Sequence, residues 1–279
     1  MRIPLLTIFV AACLALPAAS QTLERIKETG QLKLGYRTDA APLSFQGPDG
    51  RPAGYTPMVC ANVAQHIADH LQMQELNAEF VSVGADDRFD KVAAGEIDLL
   101  CGAATITLTR RESVDFSTPT YVDGTAILLP VAADEHLPAL AGKRLGVRAD
   151  TTTEQALRNS LAQDEVAAEV VTFADHKDGI AAMESGEIDA YFADQSILLY
   201  LYHNSEMTDR FKISNEILTI EKQGLAMARG DADFRLVVDT ALSELYANGV
   251  MADIFKAALP GATPGIALQA MYLLAPTLR

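Results

Sequence analysis

Two stretches of this chain repeat each other in order. Lys33-Leu34-Gly35-Tyr36-Arg37-Thr38-Asp39 returns as Arg144-Leu145-Gly146-Val147-Arg148-Ala149-Asp150, and Gly95-Glu96-Ile97-Asp98 returns as Gly186-Glu187-Ile188-Asp189. One such match could arise by chance, but two in the same order imply a duplicated architecture. Each copy reads as a short apolar strand, a turn, an amphipathic helix, and a second helix that runs into a glycine and another strand. The last helix covers Arg88 to Ala94 before Gly95 in the first copy, and Gly179 to Ser185 before Gly186 in the second. Glycine suits both stops, because the residue after a helix often takes a left-handed backbone. Strands alternating with helices argue for parallel α/β sheets, whose ligands sit beyond the carboxyl ends of the strands. Two such lobes facing each other make a cleft.

The second lobe reads as an insertion in the first. Extended segments at 126–130 and 218–227 flank residues 131–217, and a helix from Asp233 to about Ala258 returns to close the first lobe. The expected division is 21–127 plus 222–259 for lobe 1 and 128–221 for lobe 2, with two crossing strands as the hinge. A Pro/Gly-punctuated tail, 260–279, carries an apolar patch from Ile266 to Leu274 and is expected to dock on a lobe.

Residues 1–20 give Arg2, an apolar run from Ile3 to Leu16, then Pro17 and the small residues Ala18, Ala19 and Ser20. That is the order of a secretory signal peptide cleaved near Ser20, and the run is shorter than a spanning helix needs. Val10-Ala11-Ala12-Cys13 also has the look of a lipobox, but it would leave an unusually short apolar region before Cys13. The expected location is the periplasm. Lys plus Arg number 22 against 37 Asp plus Glu, a formal net charge of -15, which argues against general affinity for nucleic-acid backbones or anionic membrane surfaces. A small polar or ionic ligand in a local pocket remains.

Three cysteines are too few for a disulfide scaffold, and no CxxC pair is present. Cys60 and Cys101 remain after cleavage; export permits a disulfide between them, and the alternative is two separate buried thiols. His66 and His70 stand i, i+4 on an expected helix from Pro57 to Leu71. Its buried stripe is Val59, Val63, Ile67 and Leu71, the histidines lie with Asp69 on the wetter side, and no third ligand follows, so neither a metal nor a cofactor is expected. GxSxG, HExxH and the P-loop pattern are absent, which leaves the common hydrolase and nucleotide signatures unsupported.

The stretches Gly35-Tyr36-Arg37 with Ala41-Pro42-Leu43-Ser44-Phe45, Gly54-Tyr55, Cys101 to Thr107 through Arg110, Asp115-Phe116-Ser117, Leu140 to Val147, and Ile188-Asp189-Ala190 to Asp194 carry a resemblance. Over about residues 23 to 259 the chain resembles the periplasmic solute-binding proteins of polar amino-acid ABC transporters (family 3 of the bacterial extracellular solute-binding proteins), especially the glutamate/aspartate binders. The resemblance implies a two-lobed α/β fold of type II, an amino acid as ligand and an inner-membrane ABC permease as partner. The protein is expected to be a monomer that performs no chemistry on its ligand.

Site residues follow from the resemblance position by position. It places Arg110 and Thr105 on the ligand's α-carboxylate, which suits a planar guanidinium that can grip both oxygens, and leaves Arg111 on the surface. Thr152 joins them from the second lobe, in Asp150-Thr151-Thr152-Thr153-Glu154, where a Thr three residues before a Glu is also a capping box. Asp194 receives the α-ammonium group. Arg37 stands where basic amino-acid binders have an acidic residue and glutamate/aspartate binders an Arg, which implies an anionic ligand side chain. His176 matches a ligand-contacting His, and Arg148 repeats the location of Arg37 in the second lobe. Each of these two arginines has an Asp two residues on, so a local salt bridge is the competing reading for both. Ala103, Ala126, Leu43 and Asp150 depart from the family pattern. An enzyme of the cyclohexadienyl dehydratase type, using Asp194, Glu221 and His176, and a sensory binding protein are the alternatives; nothing follows residue 279 to transmit a signal.

Overall fold

The computed structural model describes residues 21–204, 209–215 and 217–277; the segment expected to be a signal peptide, with Cys13, lies outside the described residues. The chain begins with α1 (Gln21–Thr29), β1 (Gln31–Arg37), three short strands β2 (Asp39–Ala40), β3 (Ser44–Gln46) and β4 (Pro52–Ala53), then α2 (Tyr55–His70), β5 (Asn77–Val83), α3 (Arg88–Ala93), β6 (Leu99–Leu100) and β7 (Val114–Phe116). It crosses through β8 (Tyr121–Asp123) into β9 (Thr125–Pro130), β10 (Arg144–Arg148), α4 (Thr152–Gln163), β11 (Glu169–Phe173), α5 (His176–Ser185), β12 (Ala190–Asp194), α6 (Gln195–His203) and β13 (Phe211–Ile213). It returns through β14 (Glu221–Gln223) to β15 (Ala226–Ala228), α7 (Ala232–Ala247), α8 (Val250–Ala258) and α9 (Ile266–Leu274).

Two five-stranded sheets result, ordered β5-β1-β6-β15-β7 and β11-β10-β12-β9-β13. In the first, β1 runs parallel to β5 and β6, and β15 is antiparallel to β6. In the second, β10 runs parallel to β11 and β12, and β9 is antiparallel to β12. The crossing strands β8 and β14 pair antiparallel between the two sheets, giving the two-lobed fold with its hinge.

The sequence repeats have one physical cause in both lobes. A Cβ on Gly35 would overlap Ile97, and one on Gly146 would overlap Ile188, so each duplicated glycine in the central strand makes room for the duplicated isoleucine. The Asp98 carboxylate accepts the Lys33 backbone N–H at 2.8 Å, and Asp189 accepts that of Arg144 at the same distance. Gly95 and Gly186 take φ of +70° and +76° at the turns between, a conformation that costs any residue with a Cβ. The repeated Gly-Glu-Ile-Asp is therefore a turn, a core plug and a strand tie in four residues.

The first-lobe core packs α2, α7 and α8 on the sheet, with Leu34, Val59, Val63, Phe234 and Val238 fully buried. The α2 stripe is the expected one at Val59, Val63 and Ile67, while His66 turns toward Glu244 of α7 at 3.3 Å. Cys60 and Cys101 are joined by a disulfide with their Cα atoms 6.1 Å apart. It ties α2 to the end of β6 across 41 residues, worth about 4 kcal/mol if loop entropy of the unfolded chain dominates. The single closing helix expected from Asp233 to Ala258 is two helices, because Gly249 at φ +76° ends one and opens the next. In the tail, α9 inserts Leu268 into the first-lobe core and leaves Ile266, Leu273 and Leu274 exposed.

Candidate functional site

Every ligand-binding candidate named from the sequence lines one cavity between the lobes: Arg37, Thr105, Arg110, Arg148, Thr152, His176 and Asp194. They come from strand carboxyl ends (β1, β10, β12), the loop after β6, and the helix N-termini that follow such strands, which is where parallel α/β sheets expose polar side chains. The cavity has a volume of about 20 Å³, close to the space of one water. An amino acid enters only if the lobes part.

One end of the cleft is cationic. Arg37, Arg88, Arg110 and Arg148 all line it, and the carboxylate bonded there is that of Asp39. Arg37 Nε donates to Asp39 Oδ1 at 2.7 Å and Arg148 Nε donates to Asp39 Oδ2 at 3.0 Å. Thus the local pair Arg37–Asp39 forms, whereas Arg148 ignores its own neighbour Asp150 and reaches across the cleft. Burial raises the Asp39 carboxyl, but Arg37, His176 and Arg148 outweigh it and hold it at about 2.

Arg88 was read from the sequence only as the start of a helix. It is 2% exposed, donates to the Ala85 and Asp150 carbonyls, and has no hydrogen-bonded carboxylate among the described residues. Its Nε is a buried donor without an acceptor, whereas the Nη2 of Arg37 lies 2.5 Å from Asp39 Oδ1. Burial, then Arg37, Arg110 and Arg148, lower the Arg88 pKa well below its usual value. The ring of Phe89 sits 4.7 Å from the guanidinium carbons of both Arg88 and Arg110, a cation–π support that positions them. Arg110 also donates to the Thr105 carbonyl at 2.8 Å; burial lowers its pKa to about 10, so it stays protonated at neutral pH. The Arg88 signal available in the sequence was its place one residue inside a helix N-terminus in the first copy, beyond the carboxyl end of β5.

The other end is acidic. Glu221, from the hinge strand β14, accepts the hydroxyls of Thr105 at 2.5 Å and Thr152 at 2.8 Å, and that of Thr219 at 2.7 Å. It therefore ties a first-lobe threonine to a second-lobe one. Asp194 accepts from Thr153 at 3.2 Å and Gln223 at 2.8 Å, and Asp123 lies nearby on Ser196. Burial, then Asp123 and Glu221, push the Asp194 carboxyl up to about 8. No cationic side chain is bonded to Asp194 among the described residues, so nothing offsets the burial that raises its carboxyl.

At α5, His176 is a helix N-terminal residue rather than the loop residue it resembled, capped by Asp175. It is 4% exposed, with Nδ1 3.0 Å from the Tyr191 hydroxyl. Burial and then Arg37 push the imidazole down to about 3, leaving it neutral. At α4 the cap is Thr151, whose Oγ1 accepts the Glu154 N–H at 3.2 Å, while Glu154 reaches back to the Asp150 N–H at 3.1 Å. Asp150 takes a left-handed φ of +59°, which Asp tolerates better than most residues. Ala103 lines the cleft and Ala126 is buried in the second-lobe core.

The raised Asp194 pKa gives a stability signature. Unfolded, the carboxyl ionises near pH 4; folded, it keeps its proton to about pH 8. Its contribution is complete below the unfolded value and is lost as pH rises through the folded one. The melting temperature is expected to fall between about pH 5 and about pH 8, with the slope reduced in Asp194→Asn. An equal slope in both proteins would mean that Asp194 ionises normally.

Comparison with known proteins places these features. The family model of bacterial extracellular solute-binding proteins, family 3, matches residues 32–259. The chain is 30% identical over 255 residues to an L-glutamate/L-aspartate-binding protein of Pseudomonas aeruginosa, covering 89% of this chain and 84% of that one. It is 24% identical over 234 residues to a glutamate/aspartate import solute-binding protein of Salmonella typhimurium, covering 84% and 78%. Among solved structures it is similar to an ancestral arginine-binding protein bound to glutamine, with a TM-score of 0.73, 25% identity, and coverage of 82% and 98%.

Proposed function

Since the chain belongs to the bacterial extracellular solute-binding proteins, family 3, we propose that it captures an acidic amino acid between its lobes and delivers it to an inner-membrane ABC permease. The observation that carries this reading is the charge layout of the cleft: four arginines against the single carboxylate of Asp39 at one end, and Asp194 with Glu221 at the other. A zwitterion with an extra carboxylate complements that pattern. Buried charges without partners are costly, so the ligand supplies what the chain lacks.

In this reading Arg110 with Thr105 and Thr152 holds the α-carboxylate, and Asp194 holds the α-ammonium group in place of its proton. Arg37, Arg88, Arg148 and the neutral His176 face the side-chain carboxylate. The lobe built on the β11-β10-β12-β9-β13 sheet swings on β8 and β14 against the lobe built on the β5-β1-β6-β15-β7 sheet, since binding here needs a larger space than the closed cleft offers. The protein works in the periplasm after loss of residues 1–20, as a monomer, because one chain supplies both walls of the cleft. It acts as a binder and not a catalyst: its curated relatives are named as binding proteins, and His176 is engaged with Tyr191 rather than poised with Asp194 or Glu221.

A thermal-shift screen of the twenty amino acids and small dicarboxylates tests the assignment, because a ligand that binds only the folded state stabilises it by about 2.7 kcal/mol at 100 times its Kd. Glutamate or aspartate should give the largest upward shift. A largest shift with lysine or arginine, or none with any acidic compound, would overturn the acidic-ligand reading.

A further inference from the structure

Asp39 occupies a place in the cleft that a ligand carboxylate would want. It lies just beyond β1, in the first lobe, and its two oxygens are divided between the lobes: Oδ1 on Arg37 of the first, Oδ2 on Arg148 of the second. Both guanidinium groups are nearly enclosed, with 3% and 8% of their side chains exposed, and Asp39 has 16%. The pairing is therefore screened little by solvent. Arg37 Nη2 also lies 2.5 Å from Oδ1, so Arg37 meets Asp39 through both Nε and Nη2.

We propose that Asp39 sets the ligand preference of the cleft: it is a resident carboxylate that competes with an anionic ligand side chain for Arg37 and Arg148. This rests on the acidic amino-acid reading above and adds to it a residue that sets how far a carboxylate side chain is favoured over an amide. With Asp39 in place, an amide side chain such as that of glutamine meets a cationic wall already partly neutralised. A carboxylate side chain gains only the donors Asp39 leaves, chiefly those of Arg88. Removing Asp39 leaves the arginines without their resident partner, and only an anionic ligand can replace it.

The two possible roles of Asp39 have opposite signs. A competitor lowers acidic-ligand affinity, whereas a residue that merely aims Arg37 and Arg148 at the ligand raises it. Titration calorimetry of Asp39→Ser with glutamate, aspartate and glutamine separates them. Asp39→Ser should tighten glutamate or aspartate by about fivefold or more, the lower end of couplings between sites, with glutamine unchanged or weaker. Asp39→Asn, which keeps the shape and removes the charge, should move the same way and serves if the serine variant folds poorly, as judged by its melting curve. Weaker acidic-ligand binding in both variants, or a glutamate-to-glutamine preference within about threefold of the parent, less than half a decade of affinity, would overturn this proposal alone. Failure of the parent protein to bind any acidic amino acid would overturn it together with the reading it rests on.

Discussion

Arg88→Met is expected to weaken glutamate or aspartate by about 3–5 kcal/mol, the cost of removing one partner of a buried charge pair, which is roughly two to four decades in Kd. The same substitution should leave the unliganded protein as stable as before, or more so. Arg88 is almost wholly enclosed, its acceptors are two backbone carbonyls, and its Nε has none. A buried cation in that position costs stability that an apolar side chain of similar length would not. A structural arginine would behave otherwise: its loss would lower the melting temperature and leave affinity little changed. Calorimetry with glutamate, together with melting curves taken without ligand, distinguishes the two outcomes. Affinity within about threefold of the parent, under half a decade, would remove Arg88 from the site.

Arg110→Met should instead cost about the same 3–5 kcal/mol for every α-amino acid the protein binds, neutral or acidic. The α-carboxylate is common to them all, and the Arg110 guanidinium proposed to read it is fixed by Phe89 on its face and by the Thr105 carbonyl at 2.8 Å. It remains protonated at neutral pH, since burial lowers its pKa only to about 10. Arg88 and Arg110 thus predict different patterns across a ligand series, one selective and one general. If Arg110→Met weakens acidic ligands alone, the two ends of the ligand have been assigned in reverse.

The sequence repeats led to the right architecture because each is a local solution repeated twice. Gly35 and Gly146 clear space for Ile97 and Ile188, and Asp98 and Asp189 tie the same strand N–H. Such a solution leaves its mark as a motif, so two lobes and a cleft could be inferred before any contact was seen. The candidate residues came from the family resemblance, and their places agree with it: Arg37, Arg148 and Asp194 stand at strand carboxyl ends and Thr152 at a helix start, which face the cleft in a parallel α/β sheet. The break at Gly249 and the first turn of α5 were misjudged, since apolar periodicity runs through the one and ends short of the other.

What the sequence by itself determined is the duplicated α/β frame and the two crossing strands that join its lobes, because these depend on period, turn chemistry and residue type over a few positions. What only the tertiary structure decided is who meets whom. Arg148 bonds to Asp39, 109 residues away, rather than to the Asp two residues on. Glu221 gathers Thr105 from 116 residues away and Thr152 from 69. Arg88 becomes a cleft residue only when the second lobe lays Asp150 against it. Each of these pairings joins residues distant in the chain and is settled by burial: a charge that loses its water takes whichever polar or charged partners the closed geometry brings within reach, in the Arg148 case a distant carboxylate in preference to the near one.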